Sequence, residues 1–332
     1  MKDGKQIPGS HQDPVETFKG HPGMIITSIA TFQDGRRIAT SCDDNTMRIW
    51  RLEDGTELMK WEVREVGALV ILRNGKHVLC AEEELEFDAR ELWVRDAESG
   101  RVIAGPVKDG HTDFVDTLDI SPEGEILATV YCIQISPSTH QLAVAIHKDI
   151  ETWDLDRRKC LVQFNGHRTR IITHNSLLTW TRDGSHLLSA GNDSVIRSWE
   201  TSTWKQAGDP WIGHDSDDYM DISHITLNSA GTLLVSVSDD HSVRLWQLPA
   251  GTEVARFQHS HEVSRVTFSV DERFIFSGGL NKISQWEIPE QVLAAVRSDS
   301  LAGENNEAGP SHPCNMKGPL DLNQQDAAVV RQ

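Results

Sequence analysis

The segment SCDDNTMRIW (Ser41–Trp50) recurs, with small changes, as SAGNDSVIRSW (Ser189–Trp199) and as SVSDDHSVRLW (Ser236–Trp246). Each copy carries an Asp six residues before its Trp: Asp44, Asp193 and Asp240. Each is preceded by a Gly-His pair, Gly20-His21, Gly166-His167 and Gly213-His214, at His-to-Trp separations of 29, 32 and 32 residues. A unit of roughly 40–47 residues is one supersecondary element that cannot bury its own apolar side, so such units must stack, and the stacking decides the architecture.

Within the first unit, Met24–Phe32 alternates and is rich in β-branched residues, and Asp34-Gly35 is a turn. Arg37–Ser41 follows; an Asp-Asn turn then leads into Thr46–Trp50, and Glu53-Asp54-Gly55 leads into Glu57–Trp61. Period-two runs with this punctuation predict antiparallel hairpins, four short strands to a unit. A lone four-stranded sheet would leave one apolar face wet. Several sheets arranged radially cover both faces of each and expose only short edges, so the expected fold is an all-β propeller.

The Gly-His pair, the Asp and the closing Trp are similar to those of the WD-repeat (β-transducin-like) family, and the resemblance extends over Val15–Ile288. The chain as a whole resembles solitary fungal WD-repeat proteins. Only Trp153-Asp154 keeps the literal dipeptide. The resemblance implies a hydrogen-bonded tetrad inside each well-kept unit: His21, Thr40, Asp44 and Trp50; His167, Ser189, Asp193 and Trp199; His214, Ser236, Asp240 and Trp246. An indole N–H, a hydroxyl, an imidazole and a carboxylate satisfy one another, whereas any one buried alone would cost about 1–3 kcal/mol. His, Ser and Asp also make hydrolytic triads, but a triad is needed once and this set occurs at three equivalent places, so it belongs to the scaffold and no enzyme is expected.

The ends and the weaker units set the boundaries. VETFKGH (Val15–His21) matches LVQFNGH (Leu161–His167), the outer strand and Gly-His of a later unit, while the unit starting at His261 has three strands and stops at Pro289. Val15–Phe18 is therefore expected to complete that last sheet and close the ring. The expected organisation is a flexible segment over 1–13, a propeller over 14–289 and a disordered tail over 290–332, where Ala, Ser, Asn, Gly and Pro leave little with which to build a core. The unit Trp61–Ile103 ends in Trp93, has no Gly-His and has Phe87 at the Asp position; in the last unit Leu280 takes that position. After Gly110-His111, the two strands around Ser121-Pro122-Glu123-Gly124 are followed at once by YCIQISPSTHQLAVAIH and Trp153. His111 and His167 lie 56 residues apart, too few for two units and too many for one. The count is nominally seven blades with the third cut to its inner strands, or alternatively six blades plus an extra hairpin.

Composition narrows the function. Fifty Asp and Glu against 32 Lys and Arg give a net charge of −18, which disfavours a nucleic-acid partner because phosphate binding needs a basic face. Five scattered cysteines form no C-x-x-C, which fits a reducing, cytoplasmic or nuclear setting and argues against a zinc site; His259-Ser260-His261 lacks neighbouring ligands at metal spacing. No cofactor, metal, small-molecule substrate or membrane association is expected, since the apolar runs are strand-length and the N-terminus has no apolar core.

The resemblance implies a protein-binding platform, with the Gly-His and Asp loops on one face of the disc. That face collects Glu82, Glu83, Glu84, Asp215, Asp217 and Asp218 among other acids, so a Lys/Arg-rich peptide is the expected partner, with Met24, Phe114 and Tyr219 as apolar contacts near the channel mouth. Alternatives are a substrate receptor of a ubiquitin ligase and a sensor-type module of a larger signalling assembly. The first would use a Trp-Asp-x-Arg element, but Asp156 follows Trp153-Asp154-Leu155 and Arg157 comes one place late. The second would need a partner for any nucleotide chemistry, because no phosphate-binding G-x-x-x-x-G-K-S/T loop is present.

Overall fold

A computed structural model describes residues 13–19, 21, 23–64, 66–83, 90–107, 117–120, 126–129, 132–138, 140–146, 149–157, 159–167, 177–191, 193–214, 221–280 and 282–304. They form antiparallel sheets arranged in chain order. Blade one is Ile26–Thr31, Arg37–Cys42, Thr46–Arg51 and Glu57–Glu62; blade two is Val66–Ile71, His77–Glu83, Arg90–Asp96 and Val102–Val107. A two-stranded hairpin, Thr117–Ile120 with Ile126–Thr129, comes next. Blade three is Cys132–Ile135, Gln141–Ile146, Asp149–Asp154 and Lys159–Asn165. In blade four, Leu178–Trp180, His186–Ala190 and Val195–Glu200 are followed by a broken outer edge, Lys205–Gln206 and Trp211–Ile212, both paired to the third strand. Blade five is Ile222–Leu227, Leu233–Ser238, Ser242–Gln247 and Thr252–Gln258. Blade six has Val263–Phe268, Phe274–Gly279 and Lys282–Glu287, and its fourth strand is Glu16–Lys19 from the other end of the chain.

That last pairing joins the ring. Thr17 lies opposite Ser284 and Phe18 opposite Ile283. The inner strand of blade one packs on that of blade six, and Ser264 Oγ donates across the seam to the Ile26 carbonyl at 2.7 Å. The architecture is an all-β propeller, but the seven-blade count is corrected to the alternative of six blades plus an extra hairpin. Six blades are complete, and the hairpin stands between blades two and three with its Thr117–Ile120 strand packed against the inner strands of both. Only two residues separate Thr129 from Cys132, so the chain has no length there for a third and fourth strand.

The core lies between blades rather than within them. In five outer strands one register position is aromatic: Phe18, Trp61, Phe164, Trp211 and Phe257 lie opposite Ile283, Met47, Ile150, Ile196 and Val243. Four of these rings meet the third-strand tryptophan of the next blade: Phe18 on Trp50 at 6.3 Å, Phe164 on Trp199 at 4.8 Å, Trp211 on Trp246 at 6.1 Å and Phe257 on Trp286 at 5.3 Å. The turn above such a ring has no room for a side chain. A Cβ on Gly55 would sit 2.5 Å from Phe18 and one on Gly251 2.0 Å from Trp211, and both glycines have positive φ.

A second correction concerns the tail. Glu290–Glu304 is an α-helix, not an unstructured segment. Val292, Leu293 and Val296 share one helical face and join the core cluster of Leu233, Trp286 and Ile288. Composition hid this because three apolar residues suffice when a propeller face waits for them. No helix among the described residues is long and apolar enough to cross a membrane.

Phe18 is 2% exposed and belongs to a closing strand of only four residues. Phe18→Ala should therefore lower the unfolding free energy by about 3–5 kcal/mol, and a urea titration followed by circular dichroism will measure it. A loss within error of zero would mean that the seam does not hold the ring.

Candidate functional site

Three blades build the same polar chain. In blade five Trp246 Nε1 donates to Ser236 Oγ at 2.8 Å, Ser236 Oγ lies 2.7 Å from His214 Nε2, and His214 Nδ1 lies 2.9 Å from Asp240 Oδ2. Because the hydroxyl accepts from the indole, its own proton goes to Nε2, so the imidazole is neutral and donates from Nδ1 to the carboxylate. Blade four repeats this with Trp199, Ser189, His167 and Asp193, and blade one with Trp50, Thr40, His21 and Asp44, at 2.8–3.0 Å throughout. Local backbone aims the Asp: the following residues, Asn45, Ser194 and His241, have φ of 57°, 56° and 63°. Left-handed backbone costs non-glycine residues about 1 kcal/mol, offset where Asp44 Oδ1 and Asp240 Oδ1 accept from the amides of Thr46 and Ser242.

A cation missed by the sequence reading belongs to this set. Arg48, Arg197 and Arg244 reach the same aspartates at 3.0, 2.7 and 3.1 Å, and Arg48 and Arg244 also hold Glu57 and Glu253. The signal was present, since Arg stands two residues before Trp in RIW, RSW and RLW. In blade six His259, not His261, does the work: its Nε2 lies 2.8 Å from Ser277 Oγ, which accepts from Trp286 Nε1 at 2.7 Å, while Leu280 leaves the chain without its acid.

Blade two departs further. Arg95, not Trp93, occupies the tryptophan position, because Val78 pairs with Arg95 as Ile38 pairs with Trp50. Glu82 takes a bidentate ion pair from Arg95 at 2.7 and 3.0 Å and a hydrogen bond from the Cys80 thiol. Glu82 was expected on the partner-binding face. It is 3% exposed and committed to Arg95, so it is withdrawn from that surface.

Electrostatics agree with a structural role. Burial lowers the pKa of His21, His167 and His214 against the opposing pull of their aspartates. Burial, with Lys282, His241 and His261 adding repulsion, takes His259 down to about 3. The carboxyl of Asp193 is held down at about 2, where the His167 and Arg197 contacts outweigh burial. His21, Cys42 and Asp44 approach metal-ligand geometry. Both His21 nitrogens are already hydrogen-bonded, burial pushes the Cys42 thiol up to about 12, and Arg48 neutralises Asp44, so these donors suit a hydrogen-bond network rather than a metal ion.

On the loop face several carboxylates lie close together. Burial, then Asp239, raises the pKa of Asp221; burial, with Glu262 and Asp240 nearby, raises that of Asp239, although Ser223 donates to it at 3.0 Å. Met24 and Ile25 are 39% and 40% exposed on this face, and the Ile25 carbonyl accepts from the Asp43 amide. Of the other residues expected here, Glu84, Phe114, Asp215, Asp217, Asp218 and Tyr219 lie outside the described residues, and Glu83 is described in its backbone alone.

Comparison with known proteins points the same way. The family model described as "WD domain, G-beta repeat" matches residues 12–51, 158–200, 209–247 and 251–287. WD repeat-containing protein 18 of Rattus norvegicus is 23% identical over 245 residues, 70% of this chain and 49% of that protein. Nuclear distribution protein PAC1 of Arthroderma otae is 24% identical over 301 residues, 81% of this chain and 57% of that protein. Jouberin of Rattus norvegicus is 24% identical over 245 residues, 70% of this chain and 22% of that protein. The chain thus spans about half the length, or less, of these relatives.

Ser236→Ala strands the Trp246 N–H and His214 Nε2 inside the blade and should cost about 2–4 kcal/mol in a urea titration at pH 7. The neutral histidines also make stability fall with acid. An unfolded His259 takes a proton near pH 6.5 and the folded one only near 3. Stability is therefore fully present above pH 6.5 and is lost as pH falls toward 3, by about 2 kcal/mol at pH 5 for this group. Asp221 and Asp239, with raised pKa values, work in the opposite direction as pH nears the carboxylate range. His259→Asn isolates the histidine: its unfolding free energy should fall less between pH 7 and 5 than that of the unaltered chain.

Proposed function

Because the chain belongs to the WD-repeat family, built on the WD domain, G-beta repeat, we propose that it is a non-catalytic platform whose acidic loop face receives a Lys/Arg-rich segment of a partner protein. WD-repeat propellers act generally as protein-interaction scaffolds; the face and the partner's chemistry are the specific part of the reading. One observation carries it. Asp221, Asp239 and Glu262 converge closely enough that burial and mutual repulsion hold the first two carboxyls above their ordinary range. A lysine or arginine from a partner would relieve that repulsion, so binding would draw on an unfavourable charge arrangement already present.

Met24, beside Ile25, supplies exposed apolar area next to this charge, and we assign Phe114 and Tyr219 the same role on the sequence pattern alone. Charge would set association rate and selectivity, while buried apolar contacts would give most of the affinity. We assign Asp215, Asp217, Asp218, Glu83 and Glu84 to the same acidic surface on the sequence pattern alone. The tetrads hold the loops and do no chemistry. A reducing cytoplasmic or nuclear compartment suits the scattered cysteines. Service as a ubiquitin-ligase substrate receptor or a signalling sensor would be a particular use of the same platform.

The test is an array of Lys/Arg-rich peptides against the full chain, with affinity measured at low and high salt. Binding should weaken with salt and fall at least tenfold when Asp221 and Asp239 become Asn. Asp239→Asn should not lower the melting temperature at pH 7, because a carboxyl with a raised pKa destabilises the fold when ionised. Binding that survives unchanged in that double variant and in a Asp215→Asn, Asp217→Asn, Asp218→Asn triple variant would overturn the acidic-face assignment.

A further inference from the structure

We propose that the gap beside the two-stranded hairpin is a second docking site, which takes an apolar β-hairpin from a partner protein, with an aromatic residue on its outer strand. In every complete blade the second strand pairs with a third, but among the described residues Ile126–Thr129 pairs only with Thr117–Ile120. Among the described residues its other edge has no strand partner, and such an edge is the usual template for an added strand. In blades one and five, 23 and 24 residues separate the second strand from the next inner strand, whereas here there are two, so the chain leaves that edge without strands of its own at this point.

The walls of the gap specify its occupant. On the blade-three side, Trp153 packs with Leu142 and Leu155 in a cluster separate from the residues that meet blade four, and all three are only half-buried. Trp50, Trp199, Trp246 and Trp286 hold the same register position in their blades, are 2–7% exposed, and each meets an aromatic ring from the preceding blade's outer strand. The hairpin has no outer strand to supply one, and among the described residues no ring lies against Trp153. On the blade-two side, Val70, Leu72 and Val94 are likewise half-buried.

An added first strand would therefore be covered on both faces, as Thr46–Arg51 and Ser242–Gln247 are, which are buried almost end to end. The second strand would carry Phe or Trp at the position of Phe18, Phe164, Trp211 and Phe257. A single added strand would fill the third place and leave Trp153 uncovered, so the occupant is a hairpin. This site lies at the side of the ring, apart from the acidic loop face, and does not depend on it.

The chain itself provides the probe: a fluorescein-labelled peptide of residues 242–258, the third and fourth strands of blade five with Phe257 in the outer strand. Titrated with the full chain, it should bind saturably by anisotropy, while a scrambled peptide should not. Trp153→Ala in the chain and, separately, Phe257→Ala in the peptide should each weaken binding at least tenfold. The second change leaves the chain untouched, so a folding defect of the first cannot mimic it. No saturable binding, equal binding of the scrambled peptide, or indifference to Phe257→Ala would overturn the proposal. A Trp153-dependent homodimer in sedimentation velocity would overturn the assignment to a foreign partner and make a second copy the occupant.

Discussion

The structure depends on apolar contact between neighbouring sheets. A four-stranded unit such as blade five buries its second strand completely, yet the groups that bury it belong to blades four and six as much as to itself. An aromatic residue on one outer strand against a tryptophan on the next blade's third strand is the repeated form of that contact. It ties each blade to the next and makes the seam at Phe18 and Trp50 one more instance of an ordinary interface. Stability in such a ring is a sum of similar nearest-neighbour terms. A blade can therefore exchange its tetrad for a different polar network, as blade two has, and remain in place through its packing.

The polar networks answer a different need. A tryptophan buried to make the inter-blade contact carries an N–H into the interior, and that donor must be met. Ser or Thr meets it, His meets the hydroxyl, and Asp with Arg finishes the chain near the loop face. Where the series is incomplete the substitutes follow the same rule: in blade three, with Val144 at the hydroxyl position, Trp153 turns its N–H to Glu151 at 3.1 Å. In blade two, Arg95 replaces the indole and Glu82 the acceptor. These departures cluster on either side of the hairpin, where the regular spacing of units also fails. Irregular sequence and incomplete packing thus coincide in one sector of the ring.

Function follows from having faces that the ring does not consume. The loop face concentrates carboxylates that repel one another, and in the hairpin sector Trp153 has no ring against it among the described residues. Both are places where the molecule is less than optimally satisfied by itself, which is why the two proposed binding sites are put there.

The strand-turn-strand units, the ring they imply and the residue types of the three full tetrads were legible in the sequence. The units and the ring rest on spacing along the chain, period-two alternation with Asp-Gly and Asp-Asn turns, and the tetrads on the resemblance to the WD-repeat family carried by His, Asp and Trp at fixed intervals. What the tertiary structure alone decided is which residue stands at which register position. It chose His259 over His261, Arg95 over Trp93 and the interior for Glu82, and it folded Glu290–Glu304 onto the disc. These outcomes turn on pairings between strands far apart in sequence, where a shift of one residue exchanges the buried face for the exposed one. No local pattern records that choice, because the partners that fix it arrive only when the ring closes.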